Sequence, residues 1–188
     1  MSDEKPINLL IVSDSHGSLD NVDYILKNIA PHYDALLFLG DGYRDFFRSG
    51  KCDCPIPFFG VRGNCDFGAV QGTEPYGGMQ DELVLTFADR RILMTHGHKF
   101  SVKAGLERLE AYAAQKDIDI VLFGHTHSRH EEFLPKDESV FFKRLKKPMY
   151  LFNPGSLGRG YFNNSSFGTL YLTSKDTVFG FGSADVVL

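Results

Sequence analysis

Metal-binding side chains follow a predicted strand near the start of this chain. Residues 7–12 form a short apolar run rich in β-branched side chains, typical of a buried strand, and the loop behind it carries Asp14 and His16. At this spacing in an extended turn, two side chains share one face, so both can reach one ion. Carboxylate combined with imidazole favours a divalent transition metal over Mg²⁺ or Ca²⁺.

The same arrangement recurs after four further predicted strands. Their loops contribute the donors Asp41, Asn64 and His96, and His125 together with His127. Loops at the carboxyl ends of strands build the ligand crevice of an α/β sheet, so we expect these scattered residues to converge. Each fragment is common by chance, whereas the ordered set, with one block at each strand end, is a specific signal.

The donors suit different tasks in such a centre. Asp41 follows Gly40 in a predicted tight turn, where a carboxylate could bridge two ions with its two oxygens. The imidazoles of His125 and His127 could each serve a different ion. Asn64 would supply a neutral carbonyl ligand, which keeps the charge low enough for an anionic phosphate to enter. The donor set therefore favours phosphate-ester chemistry at two metal ions.

Hydrophobic periodicity predicts the elements that hold these loops. We predict buried strands over 7–12, 35–39, 56–61, 83–87, 91–95 and 118–123, with a hairpin turn at 88–90 and strand-like sequence from Arg129 onward. Helical spacing predicts two core-facing stripes, Leu19/Val22/Leu26/Ile29 and Val102/Leu106/Leu109/Ala113. This pattern favours an α/β fold, built on one mixed sheet or on two packed sheets with helices outside. The length of 188 residues predicts a single domain over 1–188.

Composition narrows the function classes. A net charge of −4 gives no general attraction for polyanions, which makes a nucleic-acid partner unexpected. No apolar run is long enough for a membrane span or a signal-peptide core. Three cysteines at no disulfide-framework spacing indicate a reducing compartment, so we expect a cytoplasmic protein.

The ordered blocks resemble those of the calcineurin-like metallophosphoesterase superfamily. They stand here, between residues 12 and 127, as Asp14-Ser15-His16, Gly40-Asp41, Gly63-Asn64-Cys65-Asp66, His96 and Gly124-His125-Thr126-His127. The sequence Asn153-Pro154-Gly155-Ser156 is similar to one in small bacterial and archaeal members. The short length and the Gly-Asn-Cys-Asp block are similar to the YfcE-like phosphodiesterases, which lack large capping insertions.

The resemblance implies a four-layer αββα sandwich of two mixed β-sheets flanked by helices. It also implies two metal sites that share one carboxylate, one on Asp14, His16, Asp41 and His127 and the other on Asp41, Asn64, His96 and His125. Mn²⁺ is the ion we expect first, with Fe, Zn, Ni or Co as alternatives. A hydroxide bridging the two ions would attack a small phosphate-ester substrate. We expect this substrate to be a phosphodiester.

Four residues are assigned to the reaction itself: Asn64, Cys65, Asp66 and His98. Cys65 stands where many family members carry a histidine thought to assist the leaving group, and a thiol is a poorer acid near neutral pH. Asp66 could hold a ligating imidazole in its tautomer, or could cap a helix. His98 could contact the phosphate or ligate weakly through its backbone, or could be a plain turn residue.

The sequence allows other interpretations of function. A non-catalytic scaffold like the retromer subunit of the superfamily would be expected to have lost ligand positions, but all seven are intact. A nuclease would need an added basic region; the basic segment 141–147 is predicted to be a solvated hairpin. Cys52-Asp53-Cys54 lacks the second pair that a structural zinc site needs. A homo-oligomer is compatible with the sequence.

Overall fold

Two five-stranded sheets form the framework of the protein. The computed structural model describes residues 5–48, 52–66, 79–140, 143–158 and 164–184. In chain order the strands are β1 (Ile7–Val12), β2 (Ala35–Phe38), β3 (Phe58–Gly60), β4 (Glu82–Phe87), β5 (Arg90–Thr95), β6 (Ile120–Phe123), β7 (Arg129–Leu134), β8 (Ser139–Val140), β9 (Lys143–Arg144), β10 (Met149–Pro154), β11 (Ser166–Leu172) and β12 (Thr177–Ser183). The sheet orders are β12-β11-β1-β2-β3 and β4-β5-β6-β10-β7, and β8 pairs separately with β9.

Both sheets are mixed, with parallel strands at the positions that matter for the site. In the first sheet β1, β2 and β3 are parallel, and β11 and β12 are antiparallel additions. In the second sheet β5, β6 and β10 are parallel, and β4 and β7 flank them in the antiparallel sense. The carboxyl ends of the parallel strands therefore lie together at one edge of each sheet.

The helices are short. They are α1 (Leu19–Tyr24), continued by a π-helical turn over Ile25–Ile29 and a 3₁₀ turn over Ala30–His32, then α2 (Tyr43–Phe46), a 3₁₀ turn over His98–Phe100, and α3 (Glu107–Gln115). Among the described residues, no helix is long and apolar enough to cross a membrane.

Alternation along the central strands produces three apolar layers. Leu9 and Ile11 of β1 lie between the sheets with Leu122 of β6, and Leu10 faces the opposite side, where α1 packs. Val121 of β6 likewise faces outward, into the layer that α3 covers. Strands whose two faces are both buried read as continuous apolar runs, which is why they were recognisable in the sequence. The predicted four-layer sandwich of two mixed sheets with helices outside is confirmed.

Some predicted element boundaries are wrong. The strand predicted over 56–61 is reduced to Phe58–Gly60, preceded by Pro57, which has no N–H to donate to a ladder. The helical stripe predicted from Val102 becomes helix only at Glu107, after Gly105 with φ +154°. Leu19, predicted to face the core, is 42% exposed in the first turn of α1.

Hairpins occur in both segments for which the sequence predicted them. Ala88 and Asp89 both have positive φ, 45° and 58°, and form the two-residue turn that joins β4 to β5. The basic segment 141–147 contributes Lys143–Arg144 to the β8–β9 ribbon. Phe141 and Phe142 of that segment lie outside the described residues.

Leu122→Ala should destabilise the protein by about 2–5 kcal/mol, because Leu122 is fully buried between the sheets and its loss leaves a cavity. Urea unfolding followed by circular dichroism measures the change. Val84→Ala is the matched control: Val84 is 39% exposed on β4, so its truncation should cost less than about 1 kcal/mol. Equal losses in the two variants would contradict the assigned core.

Candidate metal centre

The first cluster of donors joins loops from both sheets. Asp14 and His16 follow β1, and His127 follows β6. The Nε2 atoms of His16 and His127 lie 3.2 Å apart, and Oδ1 of Asp14 lies 3.1 Å from Nε2 of His127 and 3.6 Å from Nε2 of His16. Three donor atoms thus face one point at the carboxyl edge of the sandwich.

The second cluster is centred on His96, which directly follows β5. Its Nε2 lies 3.2 Å from Nδ1 of His125, 3.2 Å from Oδ1 of Asn64 and 3.3 Å from Oδ2 of Asp41. His96 is fully buried, and the other three residues come from three different strand-end loops. Residues scattered over more than eighty positions of sequence therefore meet at a second point beside the first.

Asp41 lies between the two clusters. Its Oδ2 is 3.3 Å from Nε2 of His96 and 3.8 Å from Nε2 of His16. Its Oδ1 accepts a 2.6 Å hydrogen bond from the backbone N–H of Cys65. A carboxylate bridging with both oxygens was predicted, but the geometry turns only Oδ2 toward both clusters, because the Cys65 amide engages the other oxygen.

The donor spacing fits divalent transition-metal ions. Ligands at about 2.0–2.2 Å from an ion in tetrahedral or octahedral geometry are separated by about 3.0–3.5 Å, and the shortest contacts in both clusters fall in that interval. Oδ1 of Asp14 is buried and has no hydrogen-bond partner, although three imidazoles surround it. A buried carboxylate oxygen without a hydrogen bond is costly unless a cation satisfies it. The residues present therefore fit two bound cations.

The tautomer of His96 is set by the backbone. Its Nδ1 donates to the carbonyl oxygen of Leu39 at 2.8 Å, so Nε2 is the ring nitrogen that faces the second cluster. This is the task that the sequence suggested for Asp66. A backbone carbonyl cannot be recognised from residue types, so the sequence held no signal for it.

The Asp66 carboxylate instead holds the turn that carries Asp41. It accepts hydrogen bonds of 2.8–2.9 Å from four backbone N–H groups, those of Asp41, Gly42, Tyr43 and Gly63. Two of these donors open α2. The contacts agree with the helix-capping alternative rather than with an imidazole-orienting role.

The ligand loops are bent into an uncommon backbone conformation. Positive φ occurs at Asp14 (55°), His16 (43°), Asp41 (60°), His125 (69°) and His127 (58°). Residues other than glycine seldom adopt this region, and it costs about 1–3 kcal/mol at each position when the surroundings impose it. Such strain clusters at functional sites, and it turns each side chain sharply off the end of its strand.

Three supporting residues were missed or left without a role by sequence reasoning. The buried Asn153 donates from Nδ2 to the carbonyl of Gly124 at 2.9 Å, which steadies the His125 loop. Ser156 donates from Oγ to the carbonyl of Asp14 at 2.8 Å. Asp45 accepts from Ser15 Oγ at 2.6 Å. The Asn-Pro-Gly-Ser sequence could have indicated a role for Asn153 and Ser156. Asp45 could not have been found in this way, because an acidic residue in a short helix is common.

Electrostatics keep Asp14, Asp41 and His125 in the deprotonated states that bind metal ions. Burial alone would raise the pKa of Asp41, but the imidazole of His96 outweighs it and lowers the pKa to about 2. Burial of Asp14 is likewise outweighed, by His127 and His16, so its pKa lies below the usual range. Burial, with the charge of His96, lowers the pKa of His125 to about 4, so this imidazole is neutral at physiological pH.

His98 and Cys65 lie at the rim of the second and first clusters, respectively. The ring of His98 lies 5.4 Å from that of His96, its Nδ1 is buried without a hydrogen bond, and burial followed by the His96 charge lowers its pKa. The exposed Cys65 accepts from Nδ2 of Asn64 at 3.2 Å. Desolvation of the thiol and its contact with Asp41 raise the Cys65 pKa to about 11.

Gly63→Ala should weaken metal binding roughly 10–100-fold, the usual effect of disturbing a group that orients a ligand. A Cβ at this position would lie 2.0 Å from Oδ1 of Asp41 and would push the shared carboxylate aside. Competition with a chromophoric chelator measures the affinity. Gly180→Ala is the control, since its Cβ would meet only the hydroxyl of Thr169, the residue paired with it on β11. Unchanged affinity in Gly63→Ala would show that Asp41 is not held as described.

Comparison with known proteins agrees with this geometry. The calcineurin-like phosphoesterase superfamily domain matches residues 7–175. The chain is 31% identical over 151 residues to the probable metallophosphoesterase YsnB of Bacillus subtilis (strain 168), covering 80% of this chain and 75% of YsnB.

Solved structures share the fold at lower identity. A predicted phosphoesterase from Streptococcus pneumoniae TIGR4 superposes with a TM-score of 0.71 at 22% identity, covering 96% of this chain and 91% of that one. Vacuolar protein sorting 29 from Cryptosporidium parvum gives 0.64 at 16%, covering 95% and 97%. The E. coli phosphoesterase Yfce gives 0.56 at 22%, covering 95% and 100%. The family match and the relative YsnB together establish that the chain belongs to the calcineurin-like phosphoesterase superfamily.

Proposed function

We propose that this protein is a metal-dependent phosphodiesterase with a dinuclear centre. The observation that carries the proposal is the position of Asp41, whose Oδ2 faces an imidazole of each donor cluster. The unsatisfied, buried Oδ1 of Asp14 supports it independently. Asp41 would contribute to both metal positions and so keep two bound ions close together, as hydrolysis of a phosphate ester by two metals requires.

Each residue has a defined part in holding the ions. Asp14, His16, Asp41 and His127 would hold one ion, and Asp41, Asn64, His96 and His125 the other. Mn²⁺ is the ion we propose first, with Fe, Zn, Ni or Co as alternatives. When bound, two such ions lower the pKa of a water nucleophile and neutralise charge on the phosphoryl group.

Exposure of the donor residues and a nearby cavity support one side for the approach of a substrate. Asp14 and His96 are fully buried, whereas the side chains of His16 and His127 are 34% and 25% exposed. A cavity of about 200 Å³ opens beside His16 and is also lined by Cys65 and Arg44. This cavity supports binding of the ester over the first cluster, with its leaving group toward the cavity. The Arg44 guanidinium lines this cavity and could pair with a phosphate oxygen.

The leaving group receives little help from Cys65. The pKa of its thiol is raised to about 11 by desolvation and by the Asp41 carboxylate, so it is a poor proton donor near neutral pH. Esters whose leaving groups need no proton, such as phenolates, should therefore react best. The preference for diesters over monoesters rests on the likeness of the Gly63–Asp66 block to YfcE-like phosphodiesterases.

The second candidate function is a protein-binding scaffold. It is favoured by the superposition on vacuolar protein sorting 29, which covers nearly the whole of both chains. Against it stand all seven donor residues, which come together in two clusters, and the positive φ angles of five of them. The cytoplasmic location, the single-domain organisation and a homo-oligomeric state stay predictions.

Hydrolysis of bis(p-nitrophenyl) phosphate in the presence of Mn²⁺ is the test of the proposed function. We expect turnover that chelation abolishes, and about two transition-metal ions per chain by elemental analysis. Asp41→Asn should lower kcat/KM by roughly 10²-fold or more and reduce the metal content of both positions together, because metal charge is worth several kcal/mol to the transition state.

His32→Ala is the matched control, since His32 is an exposed histidine at the end of a 3₁₀ turn away from the donor clusters. It should retain both the metal content and the rate. One ion or none under saturating Mn²⁺ would overturn the dinuclear centre. Two bound ions without hydrolysis of any ester in a panel of mono- and diesters would favour the scaffold.

A leaving-group series tests the assignment at position 65. The wild type should show a steep dependence of log rate on leaving-group pKa, with nitrophenyl esters fast and alkyl esters slow. Cys65→His should flatten the slope, because an imidazole acid contributes typically about 10²–10⁴-fold where a proton is needed. Cys65→Ala should keep the wild-type slope. The slope is the readout, since absolute rates also reflect metal occupancy; three identical slopes would exclude proton transfer at this position.

A further inference from the structure

We propose that Cys65 is a ligand to the ion of the first donor cluster, and that its sulfur gives that position a preference for a thiophilic metal. The inference rests on the proposed dinuclear centre and adds an eighth protein ligand to it. The seven ligands assigned above carry only nitrogen and oxygen donors, so a thiolate would change the character of the site.

The geometry places the sulfur among the donors. Ligand atoms of His16, Asp41 and Cys65 all lie within 4.8 Å of one another. The backbone N–H of Cys65 donates to Oδ1 of Asp41, which fixes the residue beside the shared carboxylate, and Nδ2 of Asn64 donates to Sγ at 3.2 Å. The sulfur is thus oriented by two neighbours that are themselves metal-binding residues. It also lines the cavity beside His16.

A second observation points to a cation at the same place. Oδ1 of Asp14 is fully buried, has no hydrogen-bond partner and lies 3.6 Å from Nε2 of His16, the imidazole that also belongs to the cysteine cluster. An ion that satisfied this oxygen and bound His16 would lie beside the cluster of His16, Asp41 and Cys65. One cation could therefore bind both Oδ1 of Asp14, which has no hydrogen-bond partner, and the exposed Sγ of Cys65.

Binding of the ion by the Cys65 sulfur needs no further reagent. On metal binding the S–H bond breaks, the sulfur keeps the electron pair and forms the bond to the ion, and the proton leaves to solvent. Thiolate is a soft ligand, which favours Zn²⁺, Fe²⁺ or Co²⁺ over Mn²⁺ at that position. The second cluster, with imidazole, amide and carboxylate donors alone, has no such bias. The centre would then discriminate between its two positions.

The other cysteines provide matched controls. Cys52 and Cys54 are half-buried and line a separate groove with Ile56 and Phe58, at the β3 edge of the first sheet. No cluster of three potential ligands includes them among the described residues. Their thiols should therefore be silent in any experiment that reports sulfur–metal bonding at the centre.

Cobalt substitution tests the inference by spectroscopy rather than by activity. The protein is loaded with Co²⁺, the bound metal is counted, and the near-ultraviolet spectrum is recorded for the wild type, Cys65→Ser, Cys52→Ser and Cys54→Ser. We expect a thiolate-to-cobalt charge-transfer band in the wild type, lost in Cys65→Ser and kept in both controls. Zn²⁺ affinity should fall more than Mn²⁺ affinity in Cys65→Ser, because a thiolate contributes more to the binding of the softer ion.

The outcomes separate this inference from the proposed function. Two bound cobalt ions without a charge-transfer band, or a band that survives in Cys65→Ser, would overturn the thiolate ligand and leave the dinuclear phosphoesterase standing. A band lost in Cys52→Ser or Cys54→Ser would also overturn it. Failure to bind two ions would instead count against the dinuclear centre. Cys65 is exposed, so its serine variant should fold, and circular dichroism verifies this.

Discussion

The placement of one carboxylate, that of Asp41, is the constraint on which the centre depends. Its Oδ2 must face imidazoles from both donor clusters, which leaves little freedom in either the side chain or the turn beneath it. The amide of Cys65 holds Oδ1, and the carboxylate of Asp66 holds the backbone of the same turn. Each of these contacts comes from the loop after β3, so two neighbouring loops are folded around a single acidic side chain.

The same constraint joins the two sheets. Asp14, Asp41 and Asn64 are carried by loops of the first sheet, and His96, His125 and His127 by loops of the second. The apolar layer between the sheets sets their separation, while hydrogen bonds across the edge set their register: His96 to Leu39, and Ser156 to Asp14. The packing of the two sheets and the positions of the donor residues therefore depend on the same interface. A change in sheet spacing would move the donors of one cluster relative to the other.

Much of this could be predicted from the sequence because buried parallel strands leave a continuous apolar signature and end abruptly in polar loops. That pattern located the donors but left one sheet or two open; the four αββα layers followed from the resemblance to the family. It could not locate helix ends, since Gly105 and the turn over 101–104 interrupt a stripe that periodicity alone extends to Val102. Nor could it assign Asp66 or Leu39, because backbone amides and carbonyls are the same at every position and only their placement makes them partners.

The left-handed conformation of the ligand residues has a consequence for how such proteins diverge. Asparagine and glycine tolerate positive φ better than most other residues, so replacement of Asp14 or Asp41 by either would remove a metal-binding charge without forcing the loop to refold. A bulky or β-branched replacement would disturb the loop as well. The loss of catalysis and the loss of shape are therefore separable along a lineage. A few substitutions could therefore convert a metal-binding protein of this fold into one that has lost the metal site but has kept the shape of its surface.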